Sequence, residues 1–167
     1  MEPLIVLVTV TLALRAAGAA GVRRLSSWTT ALRGGLAAMF LMTGVAHFVG
    51  MRAEMVSMVP PGLPNPELLV TVTGILELLG AAGLLWRRTA PWAATGLALL
   101  LIAMFPANIY AAREGTVTAI GDALLPRTMI QIVFLAATLA IPVHYLRNRQ
   151  HNPHDSSDKR HAIKINS

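Results

Sequence analysis

Residues Leu68–Trp86, LLVTVTGILELLGAAGLLW, form an apolar run with a carboxylate, Glu77, at its midpoint. A bilayer span takes about 20 mostly apolar residues, so this run is long enough to cross. A carboxylate at mid-depth costs about 2.5–3.5 kcal/mol even on insertion scales, and such groups face a protein interior or a wet cavity, with a partner or a proton. The chain must therefore bring other helices around Glu77. Its composition provides them: 54% of the 167 residues are hydrophobic, 13% are charged, and the mean hydropathy is +0.58. These values are too apolar for an ordinary soluble domain of this size, and the apolar residues fall in long blocks.

Four further blocks flank the first. Pro3–Gly21 is apolar apart from Arg15. Its start carries Glu2 and no Lys or Arg, unlike the positive n-region of a signal peptide, although AAGAAG at 16–21 offers a cleavage site. It is read as a first span, with Arg15 about 9 Å from the end of the helix and able to snorkel there. Gly34–Met51, with His47, is the second block; Leu68–Trp86 is the third; Ala90–Ala112, with Pro106 and Asn108, is the fourth; Thr128–Leu146, with Gln131, Pro142 and His144, is the fifth. The connections are Val22–Arg33, the proline-rich Arg52–Pro66, the pair Arg87–Arg88, and the polar Arg113–Arg127. The four prolines of Arg52–Pro66 favour extended or turn structure. The segment after Leu146 is polar and basic and is expected to be a disordered tail.

The basic residues give an orientation through the positive-inside rule. Arg23, Arg24, Arg33, Arg87, Arg88, Arg147, Arg149, Lys159, Arg160 and Lys164 fall on one side, and Arg52, Arg113 and Arg127 on the other: ten against three. The tail is expected in the cytoplasm, the proline-rich loop outside, and the N-terminus outside if all five blocks span. With four spans the orientation of the rest is unchanged. The formal charge of +6 is thus a topology signal spread between apolar blocks, and nucleic-acid binding is not expected.

In this topology His47, Asn108, Arg127 and Gln131 lie in the outer half, with Glu77 as the deepest member of the set. Thr73, Gly74, Gly80 and Ala81 share the Glu77 face, and small residues allow close helix approach. Glu77 is either a proton-carrying or ligand-binding carboxylate or a structural one. His47 is either a ligand or proton-transfer group or an interfacial histidine satisfied by backbone and water. Pro106 frees the carbonyl of Ile102, so Asn108 beside it either lines a cavity or satisfies a helix end. Arg127 and Gln131, one turn apart, form an anion clamp or, more blandly, an interfacial anchor. At about 15 Å from the outer end of its span, Glu77 is too deep for a direct bridge to Arg127, and Gln131 or a water is expected as its first neighbour. Trp86 and Trp92 read as an interfacial aromatic belt.

Much chemistry is excluded. There is no cysteine, hence no disulfide, thiol relay, cysteine-ligated cluster or covalent haem attachment. His47 and His144 fall at opposite faces, against a bis-histidine haem. Met51, Met55 and Met58 extend the His47 face if its helix continues, and thioethers with an imidazole suit Cu(I), but methionine is also ordinary filler. His151, His154 and His161 lie in the tail, and no metal site is assigned. No Ser–His–Asp, P-loop or H-E-x-x-H arrangement occurs, so whether the protein is an enzyme is left open.

GVAHF at 44–48, MVPPGLPNPELLVTVTGILELLG at 58–80, FPANIYAA at 105–112 and LPRTMIQ at 125–131 together resemble the DoxX family of small bacterial integral membrane proteins. The resemblance covers about Thr30–Leu146. It implies an all-α polytopic bundle: an N-terminal span and basic loop over 1–29, a four-helix core over 30–146, and the tail over 147–167, in the bacterial inner membrane. It places Glu77 where the family's intramembrane glutamate is expected. It further implies association with a membrane redox system through a bound quinone or other small molecule, or through a membrane or peripheral redox protein. No covalent cofactor is expected. In that reading an outward pocket of His47, Glu77, Asn108, Arg127 and Gln131 holds the ligand, with His47 and Gln131 bonding a carbonyl-like group. The alternative is a non-enzymatic scaffold whose buried polar residues are structural. A transporter fits less well, since five short spans without a repeat lack the usual architecture.

Overall fold

The computed structural model describes residues 2–113 and 124–150, with side chains over 2–110 and 128–148. Six α-helices make up the described residues, with no strand among them: α1 (Glu2–Ala19), α2 (Trp28–Ala46), α3 (Arg52–Ser57), α4 (Pro66–Leu85), α5 (Ala90–Arg113) and α6 (Leu124–Gln150), plus a 3₁₀ turn at Arg23–Leu25. All but α3 are long and apolar enough to cross a membrane. The architecture is the expected all-helical bundle with five such helices.

Local chemistry sets the boundaries. After α1, Gly21 takes φ 110°. The N–H of Val22 reaches the Ala17 carbonyl and that of Gly21 the Gly18 carbonyl, the double bond of a Schellman cap. Pro66 opens α4 at a position where a missing N–H costs nothing, behind Asn65 in a left-handed conformation, whose carbonyl accepts from Leu68 and Leu69.

Helix α2 is the hub. It packs along α1 and α4 and touches α6, while α5 closes the bundle between α4 and α6. The core is built from Leu36, Met39, Phe40, Leu84, Leu97 and Ile141. On α4 the buried positions are Val70, Gly74, Glu77, Ala81 and Leu84, an alternation of four- and three-residue steps that makes one stripe. Leucines off that stripe, such as Leu76 and Leu79, are exposed, as are Ile5 and Leu12 on α1 and Leu99 on α5. Around an apolar bundle, such a surface suits a hydrocarbon solvent. Gly35 sets the α1–α2 crossing: a Cβ there would lie 2.0 Å from Thr11 Oγ1 and 2.8 Å from the Leu7 carbonyl.

Three expectations change. The second helix is Trp28–Ala46, not Gly34–Met51, so Arg33 lies inside it and is buried. Its last residue comes before His47, and Gly50 at φ 81° turns the chain into α3, a short helix within the stretch expected to be irregular. Helix α6 starts at Leu124 and continues to Gln150, past the apolar block at both ends. Apolarity limits the membrane-facing part of a helix, and Arg, Asn and Gln at a C-terminal end are compatible with its propensity and dipole. The rest of the expected tail, from 151, lies outside the described residues.

Candidate functional site

Glu77 sits where α4 crosses α2. The two backbones meet closely because both present glycine: a Cβ on Gly74 would lie 2.6 Å from His47 Cβ, and one on Gly44 would lie 2.9 Å from the Leu78 side chain. This crossing brings Thr43 and His47 of the α2 end against Glu77. The Thr43 hydroxyl donates to Glu77 Oε2 at 2.6 Å. Glu77 Oε2 lies 4.0 Å from His47 Nδ1, and both side chains are buried. The first neighbour of the carboxylate is thus Thr43, not Gln131 or a water, and an imidazole stands behind it. Thr43 and His47 are four apart on one helical face, the signal from which this pairing follows.

His47 Nδ1 lies 2.8 Å from the carbonyl of Thr43. A carbonyl can only accept, so Nδ1 carries a hydrogen and donates it. The carbonyl of His47 accepts from Arg52 Nη1 at 3.3 Å, while Arg52 Nη2 donates to Thr71 Oγ1 at 3.0 Å and to the Glu67 carbonyl at 3.3 Å. Arg52, read from the sequence only as a loop charge, therefore ties the C-terminal end of α2 to the first turns of α4. Helix ends leave carbonyls unbonded, and a cation there also meets the negative end of the dipole.

Beside His47 lies a cavity of about 290 Å³ at the proline-rich end of the bundle. Met55, Met58, Val59 and Leu63 form its roof, Leu69, Val70 and Thr73 one wall, and Ala103, Met104, Ala107 and Asn108 of α5 the other. Met55 and Met58 reach it from α3, not from a continued α2; Met51 is exposed. No group of three or more metal-ligating His, Asp or Glu occurs among the described residues. Glu77 is one turn beyond Thr73, about 6 Å further along α4, and does not line the cavity.

Of the five residues expected to share a pocket, His47 and Asn108 line this cavity, and Glu77 stands behind His47. Gln131 does not line it; its amide donates to the Leu101 carbonyl at 2.7 Å and fastens α6 to α5. Arg127 belongs to the first turn of α6, but its side chain lies outside the described residues. His144 is elsewhere, with Asn148 Nδ2 3.1 Å from its Nε2.

A second polar centre, not anticipated from the sequence, lies at the opposite end. Arg33 is buried inside α2; its Nε donates to the Leu84 carbonyl at 2.8 Å, its Nη2 to the Leu85 carbonyl at 2.7 Å, and its Nη1 to Tyr145 Oη at 3.4 Å. The Thr89 hydroxyl donates to the Gly83 carbonyl at 2.7 Å. Three successive carbonyls at the end of α4, which have no partner within the helix, are thus satisfied by side chains. Nearby, Arg15 donates to the Ser26 carbonyl and stands 6.0 Å above the Trp28 ring. It does reach the end of α1, but binds protein there.

The model of a family described as Domain of unknown function (DUF8561) matches residues 36–145, from within α2 to within α6. No curated protein and no solved structure matches the chain. The matched region is most of the chain, and the chain belongs to that family.

Proposed function

We propose that this DUF8561 member is an integral protein of the bacterial cytoplasmic membrane that holds a small lipophilic molecule of the quinone–quinol class in the cavity beside His47, as a subunit of a membrane redox system. The observation that carries this reading is the cavity itself: about 290 Å³, walled mostly by apolar side chains, Met55, Met58 and Met104 among them, with His47, Thr73 and Asn108 as its polar points. Ligand pockets run from about 300 to 1,000 Å³ and combine an apolar lining with a few oriented polar groups. The volume suits one ring, with any lipid tail left outside among the exposed leucines. The resemblance to DoxX proteins supports the same class.

The protein's own residues would bind, orient and handle a proton. The cavity walls exclude water and position the ring. His47 meets its polar edge, held by the Thr43 carbonyl and by Arg52. Glu77, bonded by Thr43, places a carboxylate behind the imidazole, where it can balance a proton taken up by the ring. The bound group would supply two-electron chemistry, with the electron partner a second protein.

The charge pattern supports a cytoplasmic C-terminus. Removing buried Arg33 from the earlier count leaves nine basic residues against three, so the cavity end faces outward. The scaffold reading has its own support in Arg33, Arg52 and Gln131, whose bonds all go to the protein itself.

The test is equilibrium binding of decyl-benzoquinone and its hydroquinone to the purified chain and to Ala107→Phe, which fills the cavity from α5. Saturable binding by the wild type, lost in a variant that keeps its melting temperature, supports the reading. Absence of binding by both forms refutes it and leaves the scaffold.

A further inference from the structure

The hydrogen-bonding character of the cavity is lopsided. His47 spends its Nδ1 hydrogen on the Thr43 carbonyl at 2.8 Å. In the neutral ring Nε2 then carries a lone pair and no hydrogen. Nε2 makes no hydrogen bond among the described residues, yet the only sealed side-chain nitrogen or oxygen without a partner there is Thr11 Oγ1. Nε2 is therefore not sealed by protein, and the cavity is the space that His47 lines.

The second polar wall residue behaves in the same way. Thr73 Oγ1 gives its hydrogen to its own helix, at 2.9 Å from the Leu69 carbonyl and 3.1 Å from that of Val70. What remains for a ligand is an oxygen acceptor. Asn108 offers both a donor and an acceptor, and the sulfurs of Met55, Met58 and Met104 are weak acceptors. Among the described residues the cavity thus holds acceptors on two of three polar side chains, and the Asn108 amide is the sole side-chain donor.

We infer that the cavity selects a ligand through a hydroxyl: a phenol or quinol whose O–H donates to His47 Nε2, with the Asn108 amide completing the contact. A carbonyl, a carboxylate or a phosphate would bring further acceptors to a wall that already has them, and a buried acceptor facing an acceptor is left unpaired. This reverses the expectation of a carbonyl-like ligand on His47 and Gln131. The inference rests on the reading of the cavity as a ligand site.

The experiment compares three probes of one shape in the full chain reconstituted in lipid nanodiscs: decyl-hydroquinone kept anaerobic, its dimethyl ether, and decyl-benzoquinone. The hydroquinone is expected to bind about tenfold or more tightly than either of the others, the discrimination of about one buried hydrogen bond. In ¹⁵N-histidine spectra of the same sample, His47 is expected to show a protonated Nδ1 and a bare Nε2, with the Nε2 signal moving on addition of hydroquinone and not of the ether. Equal or tighter binding of the ether or the quinone overturns the inference while leaving the cavity a ligand site. A His47 ring with a bare Nδ1, or with both nitrogens protonated, overturns it as well. Binding of none of the three overturns both readings together.

Discussion

Replacing Arg33 by Met changes a residue that is only 5% exposed and whose guanidinium caps α4 through two short bonds, 2.8 Å to the Leu84 carbonyl and 2.7 Å to the Leu85 carbonyl. Hydrogen bonds from a charged donor contribute about 1.5–3 kcal/mol each, so their gross loss is about 3–6 kcal/mol. Deleting a buried charge recovers part of its desolvation cost, which brings the expected net destabilisation to about 2–4 kcal/mol. Methionine fills much of the same volume, so little of this is a cavity effect. Arg33→Lys keeps the charge but not the fork, and should lose about half as much. Tyr145→Phe removes only a 3.4 Å contact and should cost under about 1 kcal/mol. The assay is reversible unfolding in mixed micelles, read by circular dichroism and fitted for each variant. An Arg33→Met protein within about 0.5 kcal/mol of wild type would refute the capping argument, since the buried Leu84 carbonyl and the Leu85 carbonyl beside it would then have been left bare at no cost.

Other outcomes follow from the same geometry. Gly74→Ala puts a Cβ 2.6 Å from His47 Cβ and should destabilise by about 1–3 kcal/mol in the same assay, because backbone or ring must shift. Gln131→Leu should cost about 1 kcal/mol through its lost bond to Leu101 and leave hydroquinone affinity unchanged, since Gln131 does not line the cavity. The absence of cysteine makes single-cysteine labelling clean: an impermeant maleimide added to intact cells should label Gly62→Cys and not Arg88→Cys, and the reverse pattern would invert the orientation.

What could be read from residues alone was set by apolar length and by spacing. Glu77 in a 19-residue apolar run demanded neighbours, and the block order alone put His47 and Asn108 near one end. Which polar group faces a cavity and which faces a backbone carbonyl depends on side-chain direction, and block order carries no such information. Spacing therefore suggests Gln131 as a ligand residue, whereas its amide bonds the Leu101 carbonyl. Arg33 reads as a loop charge because a positive residue beside an apolar block usually lies in water, and only the adjacent end of α4 makes it a cap. Threonine is common in spans and gives no signal by itself at Thr43; its role exists only where Gly44 and Gly74 let α2 and α4 touch. Helix α3 was hidden by the prolines that follow it, which mark where it stops and not where it begins.

The claim that the cavity beside His47 holds a lipophilic ring is tested most directly by native mass spectrometry of the protein as extracted from its own membrane, alongside Ala107→Phe. A bound mass of the quinone–quinol class on the wild type, absent from the variant, is the expected result. A wild-type protein that leaves the membrane bare, or a bound mass retained equally by the filled cavity, would contradict it.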